Sequence, residues 1–144
     1  MNTRLVRSDT DLEAVCELLR QLRPAYSPAG IVAAVRSARE HSNYQIACVE
    51  SAGDMLCVAG FVISFKLAWG KHLYVDDLVT NEARRSKGAG GAMIKWLKSH
   101  ARESGCSQLH LDSGVSRHGA HRFYARHGFD ITSHHFAIVD LSEE

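Results

Sequence analysis

Arg84-Arg85-Ser86-Lys87-Gly88-Ala89-Gly90-Gly91 decides the reading of this chain. It lies between residues 71–79, a β-branched and apolar run that predicts a strand, and residues 92–102, whose apolar positions recur at helical spacing. A turn with little side-chain bulk at the mouth of a helix leaves backbone N–H groups without partners, where the helix dipole also favours negative charge. Glycine tolerates the positive φ angles and close approach such a turn demands. Arg84, Arg85 and Lys87 add cations of the right length for phosphate oxygens. The segment is therefore a candidate pyrophosphate cradle, with a plain tight turn as the alternative reading. A nucleotide P-loop is excluded, because Lys87 precedes Gly88 instead of following the last glycine. A dinucleotide fingerprint is excluded by the glycine spacing.

The rest of the chain can be read outward from this stretch. Upstream, residues 3–7 form a first strand, and Ser8-Asp9-Thr10-Asp11 offers helix caps before the stripe Leu12, Val15, Cys16, Leu18, Leu19 and Leu22. Ser27-Pro28 opens a second helix with Ile31, Val32, Val35 and Ala38 inward. Residues 44–50 and 55–66 make a hairpin around Ser51-Ala52-Gly53-Asp54, and a turn at Ala68-Trp69-Gly70 leads into the strand before the glycines. Downstream, the helix of residues 92–103 closes at Gly105, residues 108–112 return as a strand, residues 120–126 form a short helix ending at Gly128, and residues 131–141 form a last strand. The order β-α-α-β-β-β-α-β-α-β implies an α/β fold. Short turns make its middle strands antiparallel, and the helical crossover makes one pair parallel, giving a mixed sheet with helices on both faces.

With 144 residues, 45% hydrophobic, the chain has the size of one domain, residues 1–144. A net charge of +1 supplies no general field for nucleic acid or an anionic membrane, so anion binding is expected to be local. Cys16, Cys48, Cys57 and Cys106 form no CxxC pair and sit in apolar or periodic segments, as reduced core thiols do. There is no apolar signal core at the N-terminus and no run of about 18 apolar residues to cross a bilayer. The expected location is the cytoplasm. His118 and His121, and the adjacent His134 and His135, lack the companions of a recognisable metal set, so no metal is expected.

Strand, Arg85-x-x-Gly88-x-Gly90, helix, strand, then Ala120-x-x-Phe123-Tyr124-x-x-x-Gly128-Phe129, resembles the GNAT superfamily of acetyl-CoA-dependent N-acetyltransferases over essentially the whole chain. The segment from Arg117 to Tyr124 is also similar to the aminoalkylphosphonate N-acetyltransferase branch. The resemblance implies a GNAT-like acyl-CoA N-acyltransferase fold and acetyl-CoA as co-substrate. Arg85, Ser86, Lys87, Gly88, Ala89, Gly90 and Gly91 would hold its pyrophosphate, and Leu78, Val79 and Thr80 would pair with its pantetheine arm. Val79 or Thr80 N–H would face the oxyanion, and Tyr124 would be the acid that protonates the departing thiolate. A phenol of pKa about 10 suits that task, and a packed aromatic is the other reading of the same residue. Arg117 stands where many members carry Asn, and would contact the cofactor or an acidic acceptor.

For the base, Asp76 and Asp77 are consecutive on a strand, so regular alternation sends them to opposite faces. Asp76 aligns better with the family's acidic position and is preferred, a structural carboxylate being the alternative. The implied activity is acetyl transfer to the primary amine of a small molecule, by direct attack in a ternary complex. A non-catalytic acyl-CoA sensor and a protein or peptide acetyltransferase are the alternatives. A homodimer is expected from family habit, with residues 131–141 as its edge.

Overall fold

A computed structural model describes residues 1–84 and 88–142; Arg85, Ser86 and Lys87 of the cradle lie outside the described residues. Two compact units result, Met1–Leu111 and Asp112–Glu144.

The first unit is a five-stranded mixed sheet in the order β1-β2-β3-β4-β5. Its strands are β1 (Asn2–Leu5), β2 (Gln45–Ser51), β3 (Asp54–Lys66), β4 (Gly70–Thr80) and β5 (Gln108–Leu111), and its helices α1 (Leu12–Leu22), α2 (Pro28–Ser42) and α3 (Ala89–Glu103). Neighbours from β1 to β4 are antiparallel, and only β4 and β5 run parallel, as the helical crossover between them demands. One face carries α1 and α2: Val15, Leu19, Ile31 and Val35 pack with Ile46, Cys48, Val58 and Val79 in a single apolar cluster. On the other face α3 packs on β2, β3 and β4, with Met93, Ile94 and Leu97 fully buried. There Phe61 meets Trp96 edge-on at 6.2 Å.

Local signals hold where they name a specific bond. Gly30 N–H donates to Ser27 Oγ at 2.9 Å, with Pro28 following the cap. Helix α3 ends on Gly105 at φ 82°, Cys106 N–H reaching Ala101 O at 2.8 Å and Gly105 N–H reaching Arg102 O at 3.0 Å. The expected caps at residues 8–11 do not form. That stretch is a 3-10 turn, and Asp11 instead takes Arg4 Nη2 at 2.9 Å while Glu50 takes Arg4 Nε at 2.9 Å. An ion pair fixing β1 outweighs one capping bond.

All four cysteines are free, and no helix among the described residues is long and apolar enough to cross a membrane. Helix α3 starts at Ala89, earlier than the glycines suggest, because Ala89 is 1% exposed and packing outweighs poor propensity.

The second unit holds helix α4 (His118–Arg126). The last strand, residues 131–141, is a correction. That stretch is irregular, and Ile131, Phe136, Ile138, Val139 and Leu141 are between 80% and 96% exposed. Alternating apolar residues confer only a preference, and a strand exists through a hydrogen-bonded neighbour.

Candidate active site

Strand β4 is irregular where the sheet opens. Phe61 of β3 faces Val75 and Gly60 faces Asp77, so Asp76 has no partner and forms a bulge. The parallel pairing with β5 runs from His72–Gln108 to Val75–Leu111 and ends at that same point. From Asp76 to Thr80, β4 continues beyond its last β5 partner. Asn81 N–H donates to Leu56 O of β3 at 2.9 Å, so by strand alternation Val79 N–H also points at β3, while Leu78 and Thr80 N–H point away from it, to the open side.

The bulge also resets which way side chains face. Before it, Tyr74 lies opposite Val62, on the α1/α2 face; beyond it, Val79 and Asp77 occupy that face. The expectation that Asp76 and Asp77 look in opposite directions is therefore overturned. Both line one cleft of about 290 Å³ between α1, α2 and β4. Strict alternation requires an unbroken ladder, and an extra residue breaks it.

The two carboxylates sit in different chemistry. Asp77 accepts Tyr44 Oη–H at 2.7 Å and Arg23 Nε–H at 3.0 Å, and Arg23 Nη2 also donates to the Asp76 carbonyl at 3.1 Å. Tyr44 is 7% exposed, and its phenol pKa is pushed up by burial first and then by the charge of Asp77. A built Cβ on Gly60 would lie 1.5 Å from Tyr44 Oη, so glycine opens the notch through which the hydroxyl reaches Asp77. Among the described residues none donates a side-chain hydrogen bond to the Asp76 carboxylate. Burial raises its pKa above the ordinary carboxylate value, Asp77 raises it further, and Arg23 partly offsets both. Asp77 is anchored by two donors, and Asp76 is the more exposed of the pair.

Arg23, Tyr44, Gly60 and the anchoring part played by Asp77 were not singled out by sequence. Their one legible signal is a glycine alone inside a strand, which marks a bulge or a close approach. Ile31, Ala34, Val35 and Ala38 of α2 line the cleft.

At the cradle, Gly88 takes φ 94° as the N-cap of α3. The first rung of the helix is Ala92 N–H to Gly88 O at 2.9 Å, so Ala89, Gly90 and Gly91 have amides with no acceptor within the helix, and no acidic side chain occupies the first turn. This end fits an anion. Arg84 pairs with Asp54 at 3.5 Å, which draws one expected phosphate ligand toward β3.

In the second unit, Arg117 is the N-cap of α4, exposed, without a side-chain capping bond. Tyr124 packs edge-on against Phe123 at 5.5 Å and Phe129 at 5.7 Å. Gly128 at φ 90° ends the helix, with Phe129 N–H on Tyr124 O at 3.0 Å and Gly128 N–H on Ala125 O at 3.2 Å. The Gly128-Phe129 ending is thus a helix cap whose apolar residue folds back on the tyrosine. His121 Nε2 bonds Gly114 O at 2.7 Å and His135 lies 3.5 Å from Asp112.

These features can be set beside known proteins. The Acetyltransferase (GNAT) family model matches residues 12–129. The chain is 35% identical over 101 residues to the uncharacterized N-acetyltransferase YhdJ of Bacillus subtilis, covering 62% of this chain and 71% of that one. It is 31% identical over 55 residues to the aminoalkylphosphonate N-acetyltransferase of Salmonella typhimurium, 38% of this chain and 36% of the other. Among solved structures it is similar to the aminoglycoside N-acetyltransferase AAC(6')-Iy in complex with CoA, with a TM-score of 0.83 at 14% identity over 97% of this chain and 94% of that one. Bulged strand, glycine-capped helix and family match agree: the chain belongs to the GNAT acetyltransferase family.

Proposed function

We propose that this chain transfers the acetyl group of acetyl-CoA to the primary amine of a small molecule, by direct attack in a ternary complex. The observation that carries this reading is the bulge at Asp76. It joins, within a few residues, an open strand edge, a cleft and a carboxylate of raised pKa. The strand edge at Leu78 pairs with the pantetheine amides, Thr80 keeps its N–H for the thioester oxygen, and the amides of residues 88–91, with Arg85, Ser86 and Lys87, receive the pyrophosphate. The family match spans both units, which supports taking residues 1–144 as one catalytic domain.

An amine reaches the cleft mostly as its cation, since alkylammonium groups titrate near pH 10. Asp76 accepts that proton, directly or through one water. The neutral nitrogen then forms a bond to the thioester carbon, whose oxygen takes up the negative charge beside the outward N–H of Thr80. As the C–S bond breaks, Tyr124 protonates the leaving thiolate and regains a proton from the new amide nitrogen through water. Arg117 contacts the cofactor.

No cysteine is suited to carry the acetyl group. Burial raises the pKa of Cys16, Cys48 and Cys106, and pushes Cys57 up to about 12, so little thiolate exists at neutral pH. Four free thiols also fit a reducing compartment, the cytoplasm.

The test is thiol release from acetyl-CoA across an amine panel, together with the thermal shift that acetyl-CoA produces. Changing Gly88→Val and Gly90→Leu together is expected to abolish that shift while the ligand-free protein still melts cooperatively. At Gly88 a Cβ would meet Met1 Cε at 3.8 Å, an ordinary contact, but the backbone conformation would be strained. A full shift in the double variant would remove the cradle.

The chain is further proposed to act as a homodimer through residues 131–141, since a single copy leaves five large apolar residues there more than three-quarters exposed. Sedimentation velocity is expected to give a dimer that Phe136→Asp with Ile138→Asp converts to monomer. A monomeric parent protein at micromolar concentration rules the dimer out.

A further inference from the structure

The cleft between α1, α2 and the β4 bulge restricts which amine can be acetylated, if it is the acceptor site proposed above. Along its length it is hydrocarbon: Leu19 from α1, and Ile31, Ala34 and Val35 from α2. Tyr26 and Tyr44 add ring faces. At the β4 end it carries two carboxylates, Asp76 and Asp77.

One cation lines it. Arg23 is committed, its Nε to Asp77 Oδ1 at 3.0 Å and its Nη2 to the Asp76 carbonyl at 3.1 Å. The formal charge of these three side chains is negative, and the single guanidinium already serves the carboxylate that Tyr44 also holds.

We infer that the acceptor is a primary amine with an apolar body, aralkyl or branched alkyl, and no acidic group near the nitrogen. The ammonium meets Asp76, and the hydrocarbon lies along α2, releasing water from apolar surface. A phosphonate or carboxylate one or two carbons from the nitrogen would be drawn in beside two like charges, with no free guanidinium among the described residues lining the cleft to receive it. At about 290 Å³ the cleft falls at the small end of ligand pockets, which suits a single ring or a short branched chain. This selectivity is the opposite of what the name of the Salmonella relative says of that protein.

The experiment compares initial rates of thiol release with acetyl-CoA and four acceptors: 2-phenylethylamine, 3-methylbutylamine, 2-aminoethylphosphonate and glycine. The two apolar amines are expected to exceed the two acids by at least 100-fold in kcat/KM. Ala34→Phe, which fills the apolar wall, is expected to raise the KM for 2-phenylethylamine at least tenfold and to leave the KM for acetyl-CoA within twofold. If either acid is turned over as well as the apolar amines, the inference fails and acetyl transfer stands. Silence of both apolar amines, with acetyl-CoA still raising the melting temperature, also overturns it. If acetyl-CoA neither binds nor releases thiol with any amine, the acetyltransferase reading itself falls.

Discussion

Gly60→Ala is expected to destabilise the fold by about 3 kcal/mol, near the upper end of what overpacking costs. One methyl group there would lie 1.5 Å from Tyr44 Oη and 2.1 Å from its Cζ. Both the ring, which is 7% exposed, and the strand, which lies between β2 and β4, are held from several sides, so neither can yield without disturbing the sheet. The loss has a second part. A displaced Tyr44 no longer donates to Asp77, and a hydrogen bond to a charged group contributes about 1.5–3 kcal/mol. Urea unfolding monitored by tryptophan fluorescence checks the expectation. A companion variant, Tyr44→Phe, separates the two parts: it keeps the ring over Gly60 and removes only the hydroxyl, so it should cost less than Gly60→Ala. A change below about 1 kcal/mol for Gly60→Ala would mean that the Tyr44 ring is not fixed over the notch.

The same notch marks the boundary of what could be read from residues alone. Strand and helix order up to α4 follows from periodicity, because each stripe of apolar residues has one face to bury and the crossover rule leaves one parallel pair. Gly105 and Gly128 were legible as helix ends because a left-handed residue there has a specific physical reason. Asp76 and Asp77 were legible as chemistry but not as geometry. Two acids in an apolar strand stand out, yet their shared cleft depends on a bulge whose trace in the sequence is a glycine on the neighbouring strand. Arg23 and Tyr44, 53 and 33 residues from the groups they bond, belong to no local pattern. Residues 131–141 show the opposite failure. Their composition favours a strand, but pairing is a property of the neighbour and not of the segment.

Asp76→Asn is expected to lower kcat/KM at neutral pH by about 10²–10⁴-fold, the usual contribution of a positioned general base. The amide keeps the size of the carboxylate and fills the cleft equally, so substrate binding changes less than turnover. The pH profile supplies the sharper readout. In the parent enzyme the acid limb of kcat/KM should lie above the ordinary carboxylate value of about 4, since burial and then Asp77 raise the pKa of this group. In the variant that limb should disappear. Stability should move the other way. A carboxyl group whose pKa is raised by folding favours the folded state in its protonated form, and that advantage is lost as pH rises through the folded pKa. The variant, which cannot ionise, should therefore melt above the parent at pH 7, and the gap should close as pH falls below about 4. Lower turnover with higher stability separates a residue held for chemistry from one held for structure. Tyr124→Phe gives the complementary result: a lower kcat with an unchanged KM for acetyl-CoA, because it removes a proton and not a contact. Unchanged turnover in Asp76→Asn would leave the bulge as a shape that opens the strand edge, with water alone deprotonating the amine.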